Sequence, residues 1–148
     1  PELGNNAQLG LQLGLATEAR FGDQALGFLG SRPDGSAFAS AQALAQHVEH
    51  VLKRPVALVD GGPVAIKKIA WCTGGAQGFF EAAIAAGADA FITGELSEPQ
   101  THYAREMGVA YIAAGHHATE RYGAPAVAAH VAGQLGLEHE FIDIDNPA

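Results

Sequence analysis

A chain of 148 residues with 48% hydrophobic and 16% charged side chains is long enough to bury a core and too apolar to be disordered. Its formal charge of −8, with only eight Lys and Arg, argues against nucleic acid, which needs clustered cations on its phosphates. A single cysteine, Cys72, excludes an intrachain disulfide and a cysteine-based zinc site, and there is no run of ~18 apolar residues to span a membrane.

In chain order, Asn5 or Asn6 is placed to cap a short helix with Leu9, Leu13 and Leu11 as apolar positions, ending near Gly14. Residues 25–29 read as a strand closed by the turn Arg32-Pro33-Asp34-Gly35. Ser40 then caps an amphipathic helix, with Ala41, Leu44, Ala45, Val48, Val51 and Leu52 at helical spacing and Lys53-Arg54 at its negative end. Two strands, 55–59 and 66–72, are expected to form an antiparallel pair across Asp60-Gly61-Gly62-Pro63.

Beyond Cys72 the rhythm becomes strand, loop, helix. Residues 74–78 form a Gly-rich loop before a helix through Phe79, Phe80, Ala83 and Ile84, stopped by Gly87. Strand 90–93, helix 97–107, strand 109–114, helix 125–135 and a closing strand 140–144 follow. Short loops between alternating elements imply right-handed βαβ units and a mostly parallel sheet in this half. The expected class is therefore α/β, with residues 1–64 as a middle segment of helices and antiparallel strands and 65–148 as the βαβ segment. The loops after Cys72, Thr93 and Ala114 should open on one edge of the sheet.

Gly115-His116-His117-Ala118-Thr119-Glu120 stands at the end of an apolar strand, a usual place for a ligand site in an α/β protein. His116 and Glu120 are four apart and can converge on one ion whether the segment is helix or loop. Imidazole with carboxylate suits Zn, Mn, Fe or Ni, although a catalytic zinc normally takes three protein ligands. The same residues also suit a polar corner in which Thr119 caps and Glu120 faces the helix dipole.

Glu95 occupies the equivalent loop one unit earlier, where it can orient a liganding histidine, contact substrate, or simply sit at a helix N-terminus. His117 and His102 are further candidates to face the same cleft, each with a surface role as its plain alternative. The loop 74–78 matches no nucleotide-binding fingerprint. Close packing of strand on helix accounts for its glycines as well as an anion site does.

Trp71-Cys72-Thr73-Gly74-Gly75, Gly87-Ala88-Asp89-Ala90-Phe91-Ile92-Thr93-Gly94-Glu95, Ala114-Gly115-His116-His117-Ala118-Thr119-Glu120 and Phe141-Ile142-Asp143 with Asn146-Pro147 follow one family's order. The chain resembles the C-terminal portion of the Nif-three-like dinuclear metal proteins, also called the GTP cyclohydrolase 1 type 2 homologue family, in its YbgI-like branch. Pro1-Glu2-Leu3-Gly4-Asn5-Asn6-Ala7-Gln8-Leu9 resembles a segment from the middle of those proteins.

The resemblance implies a layered α/β/α fold of two similar halves, toroidal hexamers in the cytoplasm, and two divalent metals per full-length subunit. It implies that His116 and Glu120 are metal ligands, with Glu95, His102 and His117 as candidates for proton transfer or ligand orientation. The family's other ligands, a His-His pair and an aspartate, have no counterpart here, so the chain is expected to lack the N-terminal part and to be inactive alone. The activity implied for the parent is metal-dependent hydrolysis of a nucleotide or related heterocycle. The alternative is a non-catalytic, ring-forming metal-binding or regulatory protein.

Overall fold

The computed structural model describes residues 2–61, 64–144 and 146–147. Helices α1 (Asn5–Gln12), α2 (Ala41–Leu52), α3 (Phe80–Ala85), α4 (Glu98–Met107), α5 (His116–Glu120) and α6 (Gly123–Leu135) accompany one sheet. Its strands are β1 (Ala16–Phe21), β2 (Gly27–Ser31), β3 (Ala57–Val59), β4 (Ile69–Trp71), β5 (Ala90–Thr93) and β6 (Ala110–Ala113). They lie in the order β1-β2-β4-β5-β6-β3, parallel across β4-β5-β6 and antiparallel at the other three pairings. The α/β class expected from the sequence is thus a mixed sheet of six strands.

Strand side chains alternate between two cores, as the pleat requires. Ile69, Trp71, Ala90, Ile92, Ala110 and Ile112 face a cluster supplied by Leu9 of α1 and Leu44, Val48 and Leu52 of α2. Ala70, Phe91 and Tyr111, the residues between them, face Phe80 and Ala83 of α3 and Ala104 of α4. The Tyr111 ring stands edge-on to both Phe80 and Phe91, centroids 4.9 and 5.6 Å away. Burial on both faces explains why these central strands read as continuous apolar runs.

Ser40 accepts the Ala43 amide at 3.1 Å and so caps α2 as anticipated, and the Arg32–Gly35 turn closes through Gly35 N–H to Arg32 C=O at 2.9 Å. Strand 90–93 also stands as read, and the helix read to 107 ends at Gly108, which takes φ +67.

Four expectations are corrected. Strands 55–59 and 66–72 are not a pair: β3 runs antiparallel to β6 at one edge, while β4 is central between β2 and β5. The connection at Asp60-Gly61 instead passes against α4, where a side chain on Gly61 would strike the Ala104 carbonyl; Gly62 and Pro63 lie outside the described residues. The strand placed at 25–29 begins at Gly27, because Gln24 and Ala25 take left-handed backbone angles (φ 51° and 53°) in the connection from β1.

Gly4, not Asn5 or Asn6, is the cap position of α1, and the two side chains reach elsewhere. Asn5 Oδ1 accepts the first amide of α6, from Gly123, at 2.8 Å. Asn6 Oδ1 accepts the Thr73 amide at 2.7 Å, and its backbone carbonyl accepts Trp71 Nε1–H at 2.8 Å. Finally, 140–144 is an exposed segment without strand pairing; β3 already holds the edge beside β6.

Trp71 has no solvent-exposed surface and packs on Phe28 and on α1 at Gly10, whereas Leu11 on the same helix is 66% exposed. Trp71→Ala should therefore lower unfolding free energy by about 3–5 kcal/mol in urea titrations. Leu11→Ala should stay within about 0.5 kcal/mol of the parent.

Candidate metal centre

The parallel strands β4, β5 and β6 end side by side, and their following loops are stitched to one another. The Gly94 amide donates to the Gly74 carbonyl and the Gly115 amide to the Gly94 carbonyl, both at 2.9 Å. Thr93 Oγ1 also donates to the Gly74 carbonyl, at 3.1 Å. The Gly74 amide in turn donates to Thr119 Oγ1 at 2.9 Å, while the Thr119 hydroxyl hydrogen faces the carbonyls of Gly115 and His116. Thr119 therefore ties α5 to the first loop from a fully buried position and is not an N-cap.

This lacing brings His116, Glu120 and Glu95 together. His116 opens the one-turn helix α5, so Glu120 lies one turn on and on the same face. His116 Nε2 is 3.2 Å from Glu120 Oε2, and His116 Nδ1 is 2.6 Å from Glu95 Oε1. Glu95 is itself held: Gln77 Nε2 donates to its other carboxylate oxygen at 3.1 Å, and the Tyr111 hydroxyl donates to its backbone carbonyl at 2.6 Å. Burial, with the Glu95 charge adding to it, pushes the Tyr111 phenol well above its ordinary value and keeps it a donor. Gly74, at φ +70, lies against the pair; a side chain there would overlap Glu120 Oε1.

One imidazole between two carboxylates poses an electrostatic problem. With Nδ1–H directed at Glu95, the neutral ring presents the Nε2 lone pair to a Glu120 oxygen that is also an acceptor. Two acceptors 3.2 Å apart are favourable only with a positive centre associated with them: a second ring proton or a cation. Hydrogen bonding to Glu95, reinforced by the charge of Glu120, raises the His116 pKa, while the His116 and Gln77 hydrogen bonds lower that of Glu95.

The arrangement fits part of a metal donor set. Two atoms bound to one ion at about 2.1 Å lie roughly 3.0–3.4 Å apart at ordinary coordination angles, and Nε2 and Oε2 have that separation. A carboxylate on the far ring nitrogen is the partner that a liganding histidine usually has. Among the described residues, however, no group of three or more His, Cys, Asp or Glu side chains has the convergence of a metal centre.

His117 does not join the contacts of His116 with Glu95 and Glu120, though it borders the same cavity. It lies between α5 and the C-terminal segment, its Nε2 buried without a hydrogen-bond partner among the described residues and 3.9 Å from Asp143. His102 is exposed on α4 and lines a different groove, with Tyr103 and Met107. The loop 74–78 faces carboxylates: Gly75 lies against Glu95 and Gly74 against Glu120. Cys72, buried and contacted by Asn6 Nδ2, has its thiol pKa raised chiefly by burial. Sequence reading did not reach Tyr111, Gln77, Arg121 or Asp143, since strand and helix periodicity gives no sign of which polar groups meet across loops.

The model of the family Duf34/NIF3 (NGG1p interacting factor 3) matches residues 1–147. The chain belongs to this family. Among curated relatives, a Neisseria meningitidis serogroup B protein named "GTP cyclohydrolase 1 type 2 homolog" is 51% identical over the whole chain, and a Pseudomonas aeruginosa protein of the same name is 48% identical. The chain spans 58% of the length of each. A solved structure described as protein ybgI, of unknown function, superposes with TM-score 0.92 at 43% identity, covering all of this chain and 58% of that one. The structure of a Thermus thermophilus protein, TTHA1606, superposes with TM-score 0.83 at 26% identity, over 99% of this chain and 57% of that one.

In metal-free protein, His116 should titrate above the ordinary 6.5 by NMR, and Glu95→Gln should bring it down. The signs for stability are opposite at the two ends. The His116 contribution is complete below pH 6.5 and is lost as pH rises through its raised pKa; the Glu95 contribution is complete above 4.5 and is lost as pH falls through its lowered one. Glu95→Gln should consequently flatten the pH dependence of stability on both sides of that window.

Proposed function

We propose that this chain supplies part of the active site of a divalent-metal-dependent hydrolase of the GTP cyclohydrolase type 2 kind, acting on a nucleotide or related heterocycle. The observation that carries the reading is the contact of His116 Nε2 with Glu120 at 3.2 Å, with Glu95 holding the opposite ring nitrogen. Two acceptors set at ligand-to-ligand distance, beside an oriented imidazole, are suited to a cation. The names carried by the relatives point to nucleotide chemistry.

In this reading His116 and Glu120 are ligands in a two-metal centre holding Zn, Mn, Fe or Ni. Such a centre supplies Lewis acidity and an activated water. Glu95 orients His116, and His117 is a candidate substrate contact. The remaining ligands come from residues outside this chain, in a longer protein that assembles as a toroidal homohexamer in the cytoplasm. Among the described residues no helix is long and apolar enough to cross a membrane. With two ligands of its own, the chain alone holds metal weakly and does not turn over substrate. The second reading, a metal-binding assembly or regulatory protein without turnover, rests on the same pair of ligands and differs only in the absence of hydrolysis.

Zinc or manganese titrated into the chain should perturb the His116 and Glu120 NMR signals saturably, and His116→Ala should abolish the response. An unperturbed His116 at saturating metal would overturn the reading. In the longer protein, Glu95→Gln should reduce metal affinity or nucleotide turnover by about 10–100-fold. Tight metal retention without nucleotide turnover above a His116→Ala control would instead select the assembly protein.

A further inference from the structure

The C-terminal segment crosses the outer side of α5 and leaves two cavities beneath it. One, of about 510 Å³, runs from His116 and Glu120 to Phe141, Ile142 and Asp143. The other, of about 290 Å³, lies between the end of α2 and α5 and is lined by Lys53, Arg54, His117 and Arg121. They meet at His117 and Arg121, which line both. In a chain of net charge −8, three of the eight Lys and Arg side chains thus border one small cavity beside the candidate metal ligands.

The groups that meet there are those that recognise an oxyanion. Arg121 Nη1 donates to Asp143 Oδ2 at 3.1 Å, and Nη2 donates to the Leu52 carbonyl at 3.4 Å, which fixes the plane of the guanidinium. His117 Nε2 is nearest the other Asp143 oxygen but stands 3.9 Å away, beyond hydrogen-bonding distance, so among the described residues this buried ring nitrogen has no partner. Arg54 donates to the Pro147 carbonyl at 3.1 Å, and its guanidinium packs where a side chain on Gly115 would otherwise sit. Asp143 is an imperfect occupant, engaging Arg121 well and His117 poorly, and it belongs to a segment without helix or strand.

We propose that Arg121, His117, Lys53 and Arg54 form a receptor for a phosphoryl group, and that Asp143, reaching Arg121 and His117 from the adjoining first cavity, is an internal carboxylate that competes with ligand for those two side chains. A tetrahedral phosphoryl group has an oxygen for the guanidinium fork and another for the imidazole, which one carboxylate in the Asp143 position does not supply. The second cavity has room for such a group with several waters, at about 30 Å³ each. The proposal rests on and deepens the preceding reading by placing the phosphoryl group of the ligand at His117 and Arg121, which also line the cavity of His116 and Glu120.

The test is titration of inorganic phosphate and pyrophosphate into the chelator-treated chain, followed by NMR at the His117 ring and Arg121 side chain. Acetate at matched ionic strength is the control. Phosphate should shift both signals saturably and acetate should not. Arg121→Met should weaken binding about tenfold, the worth of one charge-assisted hydrogen bond. Asp143→Asn should tighten it several-fold by removing the competitor, and because Asp143 is half-exposed this variant keeps the proposal testable if Arg121→Met fails to fold. Lys53→Met, at an exposed position, should weaken binding without affecting the fold. An equal response to acetate, an unsaturable response to phosphate, or unchanged or weaker binding in Asp143→Asn would overturn the proposal. Because no metal is present, these outcomes are independent of whether His116 and Glu120 bind one.

Discussion

A run of backbone hydrogen bonds from Gly74 through Gly94 to Gly115 joins the three loops that follow the parallel strands β4, β5 and β6. Everything at the candidate site depends on it. Gly74 stands three residues past β4, Gly94 one past β5 and Gly115 two past β6, so these bonds join the loops beyond the strand register. Thr93 and Thr119, both fully buried, bind the backbone of the first loop from the second and third. The approach is close enough that a side chain on Gly94 would lie 2.7 Å from both the Gly74 carbonyl oxygen and His116 Cα. Glycine at 94 is thus a steric condition for bringing Glu95 and His116 together.

Once these backbones are fixed, the side chains have little freedom in how they meet. Glu95 follows Gly94 directly, and its main chain is pinned by Tyr111, whose ring is locked between Phe80 and Phe91 in the core. The aromatic cluster on one face of the sheet is therefore mechanically linked to the carboxylate that holds His116. On the opposite face, Trp71 binds the Asn6 carbonyl while the Asn6 side chain binds Thr73, at the start of the Gly74 loop. The two cores brace the same group of loops from opposite faces, which is how half-exposed polar side chains gain a defined geometry.

The parts of this arrangement legible in the sequence were those encoded locally. Ser40, Gly108 and the apolar runs of β5 and β6 announce themselves through capping and burial on both faces, and the i, i+4 spacing of His116 and Glu120 already implied a shared face. Partner choice was not local. Residues 57–59 and 69–71 both read as strands, yet nothing in either run says that one joins β6 and the other β2 and β5. The strand β1 gave no signal because its Thr17, Glu18, Ala19 and Arg20 are all exposed, so the alternation that marks a half-buried strand is missing. The cap assigned to Asn5 and Asn6 failed for a related reason: their amides satisfy backbone groups far away in sequence, at Gly123 and Thr73.

The surface near the candidate site is apolar and uncovered. α6 is apolar almost throughout, yet Val127, Val131 and Leu135 are exposed, as are Leu137, Phe141, Ile142 and Ile144 in the segment that follows. Phe141, Ile142 and Ile144 border the cavity that contains His116 and Glu120. With water in contact with both, the attraction between this pair and any cation is screened, and a two-donor set has no further carboxylate to offset that loss. Covering the apolar wall would lower the local dielectric and strengthen every charge interaction at His116, Glu120 and Arg121 together. The exposed apolar wall and the His116–Glu120 pair are thus coupled, and a group that covered the first would change the electrostatics of the second.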